Sequence, residues 1–250
     1  MSLKDSKDPI EHLYGNVILR YFPHYEAFWL KFIGNPRTAG PYGYLLPSCF
    51  NEDKKMKILE AYEKIQMWHY SLFCHLAGAH FSLEALKYSL RIKDDNLCYF
   101  KHWEFFDVGY MHLGSVLYYY RCLWNEVMKI RDYPNKYREI EQYLKGIKKD
   151  PDLLKRFFEV KTSVKNRRDQ AVHYGRIFAF QFKGKYYIPC NAKRDMKWSE
   201  ASKTTEWLDS VAALKEDIRR TEESLNDLHE ILIAEYQEFI SSNGITITRD

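Results

Sequence analysis

The sequence predicts an all-α protein that carries one small β-hairpin. Two long stretches, Asp53 to about Lys93 and Tyr99 to Arg131, contain strong helix formers, no proline, and apolar residues spaced three and four apart. Thr204 to Ser241 repeats this spacing near the end of the chain. With 250 residues and 46% hydrophobic content, the chain can bury one sizeable core or two small ones. We therefore expect one compact, mainly helical domain.

Proline and glycine mark the ends of these elements. The first stretch forms one long helix or two consecutive ones, and Pro134 ends the helix that follows. A shorter helix is predicted over 136–148. Asp150-Pro151 opens a fourth helix, which should stop near Gly175, because glycine is favoured just beyond a helix end. Next, IFAFQFKGKYYIP (177–189) alternates apolar and polar residues about a Lys-Gly-Lys centre, which predicts a hairpin.

Composition divides the chain into three parts. Residues 1–52 are an aromatic and Gly/Pro-rich extension that we expect to pack on the bundle; residues 53–241 are the helical domain, and 242–250 a tail. No window of ~18 apolar residues occurs, and the first residues carry charges where a signal peptide would be apolar. We expect a cytoplasmic protein with no membrane partner.

Cysteine and histidine patterns do not favour a disulfide framework, a metal or a cofactor. The five cysteines are odd in number and form no CxxC pair, so we expect reduced thiols. No Glu-x-x-His occurs, although histidines recur on the first two helices. P-loop, dinucleotide-binding and esterase motifs are also absent from the sequence. We expect no cofactor and no metal.

Positive charge is concentrated in one part of the chain. Between Lys155 and Lys197 there are 12 Lys or Arg against 3 acids, a local charge of +9, whereas the remainder of the chain carries −5. A local excess of this kind suits an anionic partner such as nucleic acid. On charge alone, a solvated basic face without a ligand remains equally open.

The fourth helix carries the stretch KNRRDQAVHYGR (165–176). Its periodicity predicts that Arg168 continues an apolar row, where a guanidinium needs a carboxylate, a polar cleft or an anionic ligand. His173 lies five residues on, about 140° around the axis and ~7.5 Å along it, so one helix brings the two together poorly. Two such helices across a symmetry axis could share a site. The predicted apolar row consists of Leu153, Phe157, Val160, Val164, Arg168 and Ala171.

Arg168-Asp169-Gln170-Ala171-Val172-His173 resembles the R-x4-6-H signature of the HEPN superfamily (higher eukaryotes and prokaryotes nucleotide-binding). The preceding helix, FDVGYMHLGSVLYYYRCLWN, is similar to the aromatic and small-residue helix that packs beside the motif helix in that family. The resemblance spans about 53–241. It implies an all-α, antiparallel helical bundle, a homodimer through the motif helices and, in many members, metal-independent RNA cleavage. This chain departs from a minimal HEPN domain in its N-terminal extension and its hairpin after the motif.

The chemistry of the motif agrees with the resemblance. Cleavage of RNA by its own 2′-hydroxyl needs a base, an acid and positive charge on the phosphate. His173 would be the acid/base, Arg168 the phosphate clamp, and Asp169, one helical turn before His173, would orient its ring. Aromatic residues among the lysines (Tyr186, Tyr187 and Trp198) would stack bases or, as we favour, pack the hairpin onto the bundle. Further phosphate contacts are expected from Arg167, Arg176, Lys183, Lys185, Lys193 and Arg194.

Two functions follow from these observations. The leading one is a metal-independent endoribonuclease of HEPN type, a toxin or defence effector with a neutralising protein partner. The alternative is a catalytically inactive dimeric helical module that binds RNA, a nucleotide or a protein. In that case Arg168 would be a structural arginine paired with an acid on another helix. His173 would then interact with the dipole at the helix end.

Overall fold

The fold, taken from a computed structural model, is described for residues 44–45, 48–173, 180–189 and 206–247, with the backbone alone for 44–45, 170–173 and 246–247. Most of these residues are helical, which confirms the predicted class. The helices are α1 (Glu52–Ser89), α2 (Asp95–Ile130), α3 (Ile140–Tyr143), α4 (Pro151–His173) and α5 (Ser210–Ser242). The strands are β1 (Tyr44–Leu45), β2 (Phe180–Phe182), β3 (Lys185–Pro189), β4 (Trp207–Asp209) and β5 (Thr246–Ile247).

Several helix boundaries differ from the prediction. The first long stretch is a single helix, α1, and α2 begins at Asp95 rather than Tyr99. The predicted helix over 136–148 is three short pieces, a 3-10 turn at Asn135–Arg138, α3, and a π-helical turn at Leu144–Lys148. The last helix begins at Ser210. The prediction of a helix from Thr204 is therefore wrong for Trp207–Asp209, which form strand β4.

Side-chain caps explain where four helices begin. In each case an Asn or Asp side-chain oxygen accepts a backbone N–H of the first turn, which otherwise has no partner within the helix. Asp209 has this role for α5, so the helix cannot extend back through β4. The capped donors are the N–H groups of Lys54 with Asn51 (2.9 Å), Leu97 with Asp94 (2.8 Å), Leu153 with Asp150 (2.9 Å), and Val211 and Ala212 with Asp209 (3.0 and 3.1 Å).

The hairpin is part of a three-stranded antiparallel sheet in the order β2-β3-β4. Its turn consists of Lys183 and Gly184, with φ of 49° and 73°. Two positive φ values in a two-residue loop match the right-handed twist of the strands they join. The predicted hairpin is thus confirmed over the described residues, whereas its third strand, β4, was not predicted. A separate pair, β1 and β5, is also antiparallel.

The chain divides into two compact units. The motif unit comprises 71–120 and 148–225, and its buried residues include Phe106, Tyr110 and Phe157. The second unit comprises residues up to Tyr70, 121–147, and those from Asn226 onward. In the second unit, the carboxylate of Glu235 accepts hydrogen bonds from Arg131, Tyr133 and Tyr143. None of the described helices contains a stretch long and apolar enough to cross a lipid bilayer.

Candidate functional site

The buried face of α4 continues through Arg167 rather than Arg168. After Val164 the next buried side chain is that of Arg167, which is 8% exposed, whereas that of Arg168 is 38% exposed. The prediction that Arg168 occupies the apolar row is therefore wrong. A period of 3.6 permits a step of three or four, and the helix takes three here. The preceding members of the row, Leu153, Phe157, Val160 and Val164, are all buried.

Arg167 is buried because a carboxylate from another helix compensates its charge. Its Nε lies 3.1 Å from Oδ2 of Asp217 on α5, and its Cζ lies 5.8 Å from the ring centroid of Tyr110 on α2. Tyr110 Oη donates to the same Oδ2 at 2.8 Å, and Ser163 Oγ donates to Oδ1 at 3.1 Å. Burial raises the pKa of Tyr110 well above its usual value, so the phenol stays protonated and donates. This network joins α2, α4 and α5.

Arg168 lies across α2 and is held by its neighbour in sequence. Its Nε and Nη2 donate to Oδ1 of Asp169 at 3.2 and 2.7 Å, and the Asp169 side chain is only 4% exposed. A Cβ built on Gly114 of α2 would lie 2.6 Å from Arg168 Cδ. Glycine at this position therefore makes room for the arginine. Among the described residues, none accepts a hydrogen bond from Nη1 of Arg168, and the side chain is 38% exposed.

His173 is the last residue of α4. The structure describes its backbone and not its side chain, so the predicted orienting contact from Asp169 stays a prediction. An α-helix rises 1.5 Å and turns 100° per residue, which separates position 173 from position 168 by ~7.5 Å and about 140°. The regular helix supports the sequence argument that one copy of α4 brings the two side chains together poorly.

No family model, no curated protein and no solved structure matches this chain. The resemblance to the HEPN superfamily thus rests on the motif in α4 and on the sequence of α2.

The other predicted phosphate-binding residues have different placements. Arg167 is buried against Asp217 and is not a surface residue. Lys183, in the hairpin turn, has its Nζ 5.2 Å from the ring centroid of Phe182. Lys185 is exposed, and its Nζ lies 3.1 Å from Oδ2 of Asp209, which raises the pKa of the lysine. Arg176, Lys193, Arg194 and the aromatic Trp198 lie outside the described residues.

Histidines of α1 and α2 form polar contacts within the motif unit. His102 is fully buried, with Nδ1 3.1 Å from Ser89 Oγ and Nε2 2.7 Å from Ser210 Oγ. Burial lowers its pKa to about 4, against a weaker opposing effect of Asp209. His75 and His112 approach each other, Nδ1 to Nδ1, at 2.9 Å. The described residues contain no group of three or more His, Cys, Asp or Glu arranged to hold a metal ion.

Sequence reasoning missed the partners of the motif helix. Tyr110 of α2 and Asp217 of α5 were not predicted as site residues, yet both contact Arg167. Ser163, on α4 itself, was not predicted either, and it donates to Asp217. One signal was available on the last helix, where Asp217, Thr221 and Ser224 interrupt its apolar stripe and are all buried. Buried polar residues at helical spacing indicate a polar partner on a facing helix.

Proposed function

We propose that the protein is a metal-independent endoribonuclease of HEPN type, in which Arg168 clamps phosphate and His173 transfers protons. One observation carries the proposal. The Arg168 guanidinium is partly exposed, is fixed by a buried carboxylate, and has no acceptor for Nη1 among the described residues, on the helix that ends at His173. An arginine held in this way can donate to a phosphate oxygen without first becoming ordered.

The reaction requires only imidazole, guanidinium and the RNA itself. A base removes the proton of a 2′-hydroxyl, whose oxygen attacks the adjacent phosphorus, and the bond to the 5′-oxygen breaks as that oxygen gains a proton. The products are a 2′,3′-cyclic phosphate and a 5′-hydroxyl. Imidazole titrates near neutrality and can act as the base or the acid. Arg168 stabilises the charge that develops on the phosphate oxygens.

Two copies of the chain would complete the site. The helix separates positions 168 and 173 by about 140°, and a two-fold axis can bring Arg168 of one copy to His173 of the other. This arrangement gives each dimer two composite sites. As a toxin or defence effector, the protein would have a neutralising protein partner and would slow the growth of cells that express it.

A second function is favoured by the ion pair itself. Arg168 already has a carboxylate partner within the chain, Asp169, which is what a structural arginine needs. The corresponding proposal is a dimeric helical module that binds RNA, a nucleotide or a protein and cleaves nothing. The exposed guanidinium of Arg168 would then contribute to binding alone.

The deciding experiment is cleavage of RNA by purified protein in excess EDTA. We expect cleavage with 2′,3′-cyclic phosphate ends, a rate at least ~10²-fold lower in His173→Ala, and an impaired Arg168→Lys because an ammonium lacks the planar fork. Asp169→Asn should cost less, since this residue orients and does not react. Arg220→Lys, at a partly exposed arginine of α5, is the matched control and should keep the wild-type rate. Cleavage that stops with EDTA, or that persists in His173→Ala, would contradict the mechanism. If the wild-type protein cleaves no RNA, the binding module is favoured.

A further inference from the structure

The three-stranded sheet has one buried face and one outer face. On β3, Tyr186 and Ile188 are buried, and the Tyr186 ring lies 4.3 Å from that of His102 on α2. Alternate residues of a strand point to opposite faces, and cross-strand partners share a face. The register pairs Phe180 with Tyr187, Phe182 with Lys185, and Pro189 with Trp207. The outer face therefore carries four aromatic side chains, those of Phe180, Phe182, Tyr187 and Trp207.

Three of these rings contact one another, and the two on β2, Phe180 and Phe182, are open to solvent. Phe180 stacks on Tyr187, with centroids 5.2 Å apart and planes 14° apart, and meets Trp207 edge to face at 4.8 Å. Phe180 is 42% exposed and Phe182 54% exposed. Exposed aromatic side chains gathered on one small sheet are characteristic of a binding surface. Exposed flat rings of this kind offer faces on which other planar groups can stack.

Positive charge lies beside the rings. Lys183 precedes Gly184 in the turn next to Phe182, and Lys185 shares the outer face. Lys185 contacts Asp209, but the lysine side chain is 58% exposed and its ammonium has three donors, so it can also donate to a phosphate. Aromatic faces for bases combined with cations for phosphates are the features that bind single-stranded nucleic acid. In a duplex the bases stack on each other, so their faces are not accessible.

We propose that the outer face of the sheet binds single-stranded RNA, with unpaired bases stacked on Phe180 and Phe182 and phosphates held by Lys183 and Lys185. The inference rests on the proposed function in one respect, that RNA is the ligand. It adds where the substrate binds and which form is selected, unpaired rather than duplex RNA. The buried face of the same sheet packs against α2 through Tyr186, so the surface belongs to the motif unit.

The test uses a single-stranded 2′-O-methyl RNA of about ten nucleotides that contains 2-aminopurine, a base whose fluorescence falls when it stacks. Without a free 2′-hydroxyl this probe cannot be cleaved, so binding is measured on the wild-type chain. Phe182→Leu and Phe180→Leu should each weaken binding at least about fivefold and reduce the quenching, as expected for loss of one base–ring stack. Phe182→Tyr should bind like wild type, because it keeps the ring. The same sequence as a duplex should bind more weakly and show no quenching.

Tyr88→Leu is the matched control, since Tyr88 is a 65% exposed aromatic residue on α1, and it should leave affinity unchanged. The outcomes separate this inference from the proposed function. Unchanged affinity in both leucine variants, with wild type still cleaving RNA, overturns the stacking surface and leaves the nuclease intact. Ring-dependent binding without cleavage by wild type supports the stacking surface and removes the nuclease. No binding of the probe by wild type overturns the stacking surface outright.

Discussion

Arg167 and Arg168 are adjacent in sequence, and the helix directs their side chains about 100° apart. That rotation is enough to bury one against Asp217 and to leave the other partly in solvent. The first contributes to stability because its charge is compensated inside the unit. The second lies where a ligand can reach it. Substitutions of the two neighbours should therefore have different consequences.

Arg167→Met should destabilise the protein. The substitution leaves the Asp217 carboxylate buried without its cation, and loss of one member of a buried ion pair costs roughly 3–5 kcal/mol. Urea unfolding followed by circular dichroism would measure the loss. Arg219→Met is the control, because Arg219 pairs with Glu216 on an exposed face and should leave the free energy of unfolding nearly unchanged.

The partner substitution checks the cause. Asp217→Asn removes the charge and keeps an oxygen that can accept from Tyr110. If charge imbalance is the reason for the loss, Arg167→Met combined with Asp217→Asn should be more stable than Arg167→Met alone. Additive losses in the double variant would contradict the ion-pair account.

At the scale of elements, α2 shapes the site through a glycine. Gly114→Ala places a methyl group 2.6 Å from Arg168 Cδ, so the arginine must shift. The arginine side chain is flexible, and alanine favours a helix over glycine by up to about 1 kcal/mol. The free energy of unfolding should therefore stay the same or rise slightly. Cleavage of RNA should fall on the order of 10–100-fold, as expected for a displaced catalytic group.

Ser115→Ala is the comparison for that variant. This substitution also raises helix propensity in α2, next to Gly114. Among the described residues, however, the Ser115 hydroxyl donates only to the carbonyl of Met111 in its own helix. Its cleavage rate should match that of wild type. Equal rates in Gly114→Ala and wild type would show that the position of the Arg168 side chain over α2 has no catalytic importance.

His102 links three helices, since it contacts Ser89 of α1 and Ser210 of α5 from its position on α2. Its pKa is about 4 in the folded chain, below the ordinary value of 6.5, so the folded state favours the neutral ring. The neutral ring therefore stabilises the folded state fully above pH 6.5. This stabilisation is lost as the pH falls through 4, and the free energy of unfolding decreases by about 3 kcal/mol in all. Unfolding free energies measured between pH 7 and 4 should show this loss.

His102→Gln removes that titration and should flatten the pH dependence. The dependence should not vanish, because burial also lowers the pKa of His69 and His229 in the second unit. The negative charge of Asp209 raises the pKa of His102, against the effect of burial, and Asp209 remains in the variant. An equally steep loss of stability in His102→Gln would mean that other groups account for the acid sensitivity.

Local patterns in the sequence predicted much at this scale. The helical spacing located α1, α2, α4 and α5, and the Lys-Gly turn located the hairpin, because these signals reside in neighbouring residues. β4 escaped prediction since a strand of three residues is stabilised by pairing with β3, which is distant in sequence. The choice between Arg167 and Arg168 as the buried residue depended on Asp217, some fifty positions away. Periodicity alone cannot supply such a partner.

For the whole molecule we expect a two-fold dimer, visible by light scattering at micromolar concentration. Mixed variants test it functionally. Arg168→Lys and His173→Ala are each impaired alone, but a mixed dimer contains one site built from an intact Arg168 and an intact His173. Unfolding and refolding the two together should recover roughly a quarter of wild-type cleavage, since half of the dimers are mixed and half of their sites are intact. A monomer, or no recovery on mixing, would contradict the shared site.

The second unit is assembled from three separate pieces of chain, and the motif unit from two. Neither can be obtained by cutting the chain once, so a truncated gene product should expose apolar helix faces rather than yield a working half. The same arrangement bears on synthesis at the ribosome. Residues from Asn226 onward must emerge before the second unit can close around Leu228 and Leu232. Until then, the helices made earlier expose apolar faces that can aggregate. We therefore expect the chain to depend on chaperones until α5 has left the ribosome.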